Sequence, residues 1–81
     1  MKSLVLKKTA AHYGGDWPDD DHVVLHDGAV VGRILFHPQG PEGRPWLWSI
    51  SSRIPQSPED RGYTETCEQA MVDFKLRWIA T

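Results

Sequence analysis

The sequence predicts an α+β domain: a three-stranded antiparallel β-meander, four-stranded if residues 3–8 join it, packed on one C-terminal α-helix. Three observations carry this. Asp27-Gly28 separates two β-branched runs, residues 46–52 alternate apolar and polar side chains, and residues 67–79 space their apolar side chains as a helix does. Eighty-one residues make one domain. Residues 22–79 are its core, and 1–21 are an extra strand or a loose arm and loop. A chain of this size buries only roughly 60–65% of its unfolded surface, so the core is thin. Four tryptophans and two phenylalanines offset this, since large aromatics bury much apolar area each.

In chain order, Leu4 and Leu6 fall on one face of a short strand over residues 3–8. Their apolar run, Leu4-Val5-Leu6, is too short for a signal peptide or a membrane span, so no membrane role is expected. Residues 13–21 are turn and loop chemistry, with Gly14-Gly15, Trp17-Pro18 and three consecutive aspartates. His22 to His26 and Ala29 to Phe36 are two strands of a hairpin, because Asp-Gly supplies the positive φ of a two-residue turn. In the second strand Val30, Gly32, Ile34 and Phe36 are expected on one face. Gly32 removes a side chain within the strand, which predicts a bulge or a bulky neighbour, a tryptophan being the obvious one.

Three prolines and two glycines make residues 38–45 a loop. Trp46, Trp48 and Ile50 then face the core while Leu47, Ser49 and Ser51 face away. Residues 53–62 read as a second loop ending at Tyr63. The helix begins after Thr66, whose hydroxyl can cap the first turn, with Gln69 at the capping-box position. At 100° per residue Cys67, Ala70, Met71, Phe74 and Trp78 form its core stripe, and Val72, Leu76 and Ile79 a second apolar line on nearly the opposite side.

The pattern Asp27-Gly28, Val31-Gly32-Arg33-Ile34, Gly43, Trp46, Trp48, Gly62-Tyr63, Thr66, Ala70-Met71, Phe74 and Trp78 resembles a family of short, functionally uncharacterised bacterial proteins. These are built as a β-meander followed by one helix. The resemblance covers residues 22–79. It implies that fold, and it implies no catalytic or binding residue. The element order is also similar to other β-β-β-α modules, some of which bind duplex nucleic acid, a likeness of fold alone.

Function is read from the residues themselves. The second helix line is the feature a lone lid on a sheet does not need, and three aligned apolar side chains make a contiguous patch. The first expectation is therefore a non-enzymatic interaction module that binds itself or another protein through Val72, Leu76 and Ile79. A helix-to-helix homodimer is its simplest form. The alternative is a nucleic-acid-binding module using Arg33, Arg44, Arg53 and the loops, with Trp46 and Trp48 as stacking rings. Against it, the tryptophan face is the more apolar and belongs under the helix. The net charge is −2, and residues 16–28 hold five aspartates with no lysine or arginine.

A metal-binding or catalytic protein comes third. His22 and His26 share a strand face beside Asp19, Asp20 and Asp21, yet no third ligand is fixed by spacing. Cys67 opens the helix, where free amides favour a thiolate, but its place on the core stripe favours a buried thiol, and no base lies near it in sequence. No charge relay, phosphate loop or carboxylate pair stands out, so neither cofactor nor catalytic residue is assigned. One cysteine permits no internal disulfide, and a reducing, cytoplasmic setting is expected.

Overall fold

The structure, a computed structural model, describes residues 4–80. Its elements in order are β1 (Leu4–Lys8), α1 (Thr9–Tyr13), β2 (Asp21–His26), β3 (Ala29–Phe36), β4 (Trp46–Ile50), a 3₁₀ turn (Pro58–Asp60), β5 (Arg61–Thr64) and α2 (Cys67–Ala80). The described strands form one antiparallel sheet in the order β1-β2-β3-β4-β5, a pure meander with α2 on one face. The α+β class and the meander are as expected. The strand count is five rather than three or four, because β1 pairs along β2 from Leu4↔His26 to Lys8↔His22 and β5 adds a second outer edge. Ser3, the first residue of the expected N-terminal strand, lies outside the described residues.

The first half of β5, Arg61 and Gly62, reads as loop because glycine sits inside a strand of only four residues. Its reason for pairing is across the sheet. Gly62 stands opposite Trp48, and a Cβ at Gly62 would come within 2.8 Å of the Trp48 indole nitrogen. Lacking that atom, the strand closes against a buried tryptophan.

The Asp27-Gly28 turn forms as expected, with φ of 58° and 83° at its two residues. The β2–β3 pairing is less regular. Val24 opposes Gly32 but Leu25 opposes Val30, so Val31 is an extra residue in β3. The bulge corrects the expected face: Val31, not Val30, joins the buried cluster. The carbonyl of Val31 accepts from the amides of Ser51 and Ser52, at 2.9 and 3.2 Å, which carries the chain out of β4. The neighbour over Gly32 is likewise Phe74 of α2 rather than a tryptophan.

Val24, Val31, Ile34, Trp48, Ile50, Ala70 and Phe74 form the core between sheet and α2, with Leu4, Leu6, Trp46, Cys67, Met71 and Trp78 packed around it. Helix α2 lies over β4, β5 and β3. Thr66 caps it, accepting from the Gln69 amide at 3.1 Å. The reciprocal half of the capping box is absent, for the Gln69 side chain donates forward to Asp73 at 2.7 Å. No helix among the described residues is long and apolar enough to cross a membrane.

The opposite face of the sheet is not bare. Helix α1 and the following loop lie on it and bury Val23, Asp21 and Thr9. A five-residue helix leaves too few turns to show a period in sequence.

Candidate functional site

Helix α2 turns its two stripes to opposite environments. Ala70 and Phe74 are fully buried, whereas Val72, Leu76 and Ile79 are 50%, 63% and 58% exposed. Helical geometry puts these three side by side at i, i+4 and i+7. Strand β1 pairs at the sheet edge farthest from β5 and does not fold over them. Five acidic, basic or amide side chains flank the line: Glu68 and Lys75 on one side, Gln69, Asp73 and Arg77 on the other.

The three arginines of the nucleic-acid alternative go to three different places. Arg33 lies on the α1 face of the sheet, where its Nη2 donates to Asp21 Oδ2. Arg44 lies in the β3–β4 loop beside Glu65, Thr66, Gln69 and Asp73, in a concavity of about 560 Å³ at the start of α2. Arg53 is drawn to the other end of α2. It donates to the carbonyl of Trp78 at 3.1 Å and to Asp60 at 3.1 Å, and its guanidinium stacks 5.1 Å from the centre of the Trp78 ring. Trp48 is buried under α2, and Trp46 packs edge-on against Phe36.

Asp60 is the hub of that second cluster. Besides Arg53 it accepts from Arg77 Nε at 2.9 Å, from the Ser57 amide at 3.0 Å and from the Ser57 hydroxyl at 3.3 Å. These bonds favour the charged form. The Ser57 amide first, then Arg77 and Arg53, hold the carboxyl at about 2 despite the opposing effect of burial. The network ties the 53–60 loop to α2. Sequence reasoning missed it because its three charged members lie at positions 53, 60 and 77, with no short-range spacing to mark them.

His22 and His26 do share a face of β2, the α2 side. His22 lies 6.4 Å from the Trp46 ring and His26 meets Trp78 edge-on at 5.3 Å. The aspartates beside them turn elsewhere. Asp21 points to the α1 face and Asp19 pairs with Lys8 at 2.7 Å. Among the described residues no three histidine, cysteine, aspartate or glutamate side chains gather as a metal site would require. Cys67 is half-buried at the start of α2. Burial first, then the charge of Glu68, raises its pKa, which disfavours a thiolate there.

One arrangement was not legible in sequence at all. On the α1 face, Asp21 receives Arg33 on one oxygen and the Thr9 hydroxyl on the other at 2.7 Å. The guanidinium of Arg33 lies 5.8 Å from the centre of the Trp17 ring. Trp17 donates its indole N–H to the Gly14 carbonyl at 2.9 Å and leans on Tyr13, with ring centres 6.0 Å apart. Thr9, Tyr13, Gly14, Trp17 and Arg33 line an open concavity of about 570 Å³. The continuous stretch from Thr9 to Asp21 meets Arg33 here, 12 residues beyond Asp21, and the β2–β3 register brings the two together.

With this geometry in hand, comparison with known protein families, curated proteins and solved structures yields no match to the chain.

Proposed function

We propose that this chain is a small non-enzymatic interaction module that meets a second copy of itself, or another protein, through the outer line of α2. The observation that supports this reading is the exposure of Val72, Leu76 and Ile79 on a helix whose Ala70 and Phe74 are buried and whose Cys67, Met71 and Trp78 are half-buried. Full burial of such side chains contributes roughly 1.5–3 kcal/mol each, before the costs of association. A single helix face falls short of the ~800 Å² per partner of a standard interface, so contacts made by this line alone are weak and reversible. The lone, half-buried Cys67 suits a reducing, cytoplasmic setting.

The nucleic-acid reading has less support. A phosphate track needs cations in a row, and Arg33, Arg44 and Arg53 are dispersed, two of them already paired with Asp21 and Asp60.

The test is mass in solution by light scattering across a concentration series, for the natural chain and Leu76→Asp. The expected result is a mass that rises with concentration and is flattened by Leu76→Asp, while unfolding stability changes little. A strict monomer at high concentration, with solubility and stability untouched by the substitution, counts decisively against the proposal.

A further inference from the structure

We infer that the concavity on the α1 face of the sheet is a binding site for a small planar organic anion, an aromatic or heteroaromatic ring that carries one carboxylate. Its volume of about 570 Å³ falls within the roughly 300–1,000 Å³ of small-molecule sites. Its walls and its charged group specify the ligand between them.

The charged group is Arg33, whose side chain is 42% exposed although its partner Asp21 is buried. A buried carboxylate is costly unless its oxygens are satisfied. Here both are, one by Thr9 and one by Arg33. Thr9 is itself buried, so the carboxylate is fixed in place and in turn fixes the guanidinium. Asp21 takes Nη2. With 42% of the side chain exposed, the guanidinium keeps donors open to a further acceptor, and a carboxylate is the acceptor its planar fork matches.

The walls are π surface. Tyr13 is 59% and Trp17 41% exposed, held at 38° to one another on the rim. Trp17 has already given its N–H to Gly14, so what it offers a ligand is the ring. Anchoring of α1 to the sheet accounts for Thr9 and Asp21. It does not account for two large aromatic side chains left 59% and 41% exposed beside a guanidinium that Asp21 holds in place. A ring laid against Tyr13 and Trp17 with its carboxylate toward Arg33 uses all three.

The surrounding charge limits the ligand to a small anion. Asp16, Asp19 and Asp20 lie in the same loop, and Lys8, the nearest lysine in sequence, is engaged with Asp19. A polyanion would meet those carboxylates along its length, whereas a single carboxylate seated on Arg33 avoids them.

The inference does not depend on the outer face of α2, and its test reads a different surface. The full chain, labelled with ¹⁵N, is titrated with benzoate, naphthoate and indoleacetate, with the corresponding amides, with acetate, and with a short single-stranded oligothymidine. Saturable shifts are expected at the Trp17 indole N–H, at Gly14 and at Arg33 with at least one aromatic carboxylate. The matching amide and acetate should bind at least about tenfold more weakly. Trp17→Ala lies outside the core and is expected to keep the natural spectrum elsewhere while losing about tenfold or more in affinity; Arg33→Lys, which keeps the charge but not the fork, should lose a similar amount. The inference is overturned if no aromatic carboxylate gives saturable shifts up to about 10 mM, if the amides bind as well, if Trp17→Ala leaves affinity unchanged, or if oligothymidine alone binds.

Discussion

Phe74 of α2 occupies the space that a side chain on Gly32 of β3 would take. A Cβ built at Gly32 would stand 2.6 Å from Phe74 Cζ and collide with the carbonyl oxygen of Ser49 on the next strand. The glycine therefore sets how closely helix and sheet approach. Gly32→Ala should destabilise the fold by about 1–3 kcal/mol, the range for overpacking, and towards its upper end because one obstacle is backbone. Shrinking the ring in Gly32→Ala/Phe74→Leu should recover only part of that loss, since the Ser49 carbonyl remains. Urea unfolding of the two variants and of Phe74→Leu alone, combined as a double-mutant cycle, measures this coupling. Additive single effects would show that Phe74 does not depend on the glycine.

The cap of α2 gives a second, more local test. Thr66 accepts from the Gln69 amide, but Gln69 does not answer; its side chain goes to Asp73. Thr66→Ala should cost about 1 kcal/mol, within the 0.5–2 kcal/mol of lost N-caps. Gln69→Ala removes only an exposed contact and should stay within about 0.5 kcal/mol. Thermal unfolding of both variants separates a one-way cap from a full capping box, in which the two losses would be comparable.

These examples also mark what could be read from sequence. The hairpin at Asp27-Gly28, the alternation of Trp46, Trp48 and Ile50, and both stripes of α2 rest on local periods, and local periods survive into the fold. Strand β5 and the bulge at Val31 rest instead on what lies opposite: Trp48 over Gly62, and Gly32 under Phe74. The same division holds for the candidate sites. Val72, Leu76 and Ile79 announce themselves by spacing within one helix. Thr9, Asp21, Arg33 and Trp17 are brought together by strand register and a short helix that has no period to show. Gly32 was the one signal that pointed across elements, and the neighbour it suggested, a tryptophan, is Phe74 instead.

Cys67 tests a balance between two effects at a helix start. Free amides would lower the thiol pKa, while burial and the adjacent Glu68 raise it, and burial is the larger cause of the net upward shift. Alkylation by iodoacetamide near neutral pH should therefore be slower than that of a free small thiol. Unfolding in urea should remove the difference. A folded protein that reacts faster than the small thiol would mean that the helix end prevails after all.

Asp60 should govern the acid limb of stability. Its carboxyl is held at about 2, against an ordinary value of 3.8, by the Ser57 amide and by Arg77 and Arg53. Because the folded value is the lower one, the unfolded chain takes up the proton first as pH falls. The stabilisation is present in full above the unfolded value and is lost as pH falls through that value towards about 2. Asp19, lowered by its hydrogen bond to Lys8, and Glu59, lowered by backbone and Ser57 hydrogen bonds, move in the same direction. Both remain in an Asp60→Asn variant, so their contributions cancel in a comparison with the natural chain. The stability difference between the two proteins should be greatest above about pH 5 and should narrow steadily between about pH 4 and 2. Urea unfolding at a series of pH values, at constant ionic strength, gives that difference directly. A gap independent of pH would mean that Asp60 titrates alike in both states, and that the bonds from Ser57, Arg53 and Arg77 do not favour its charged form.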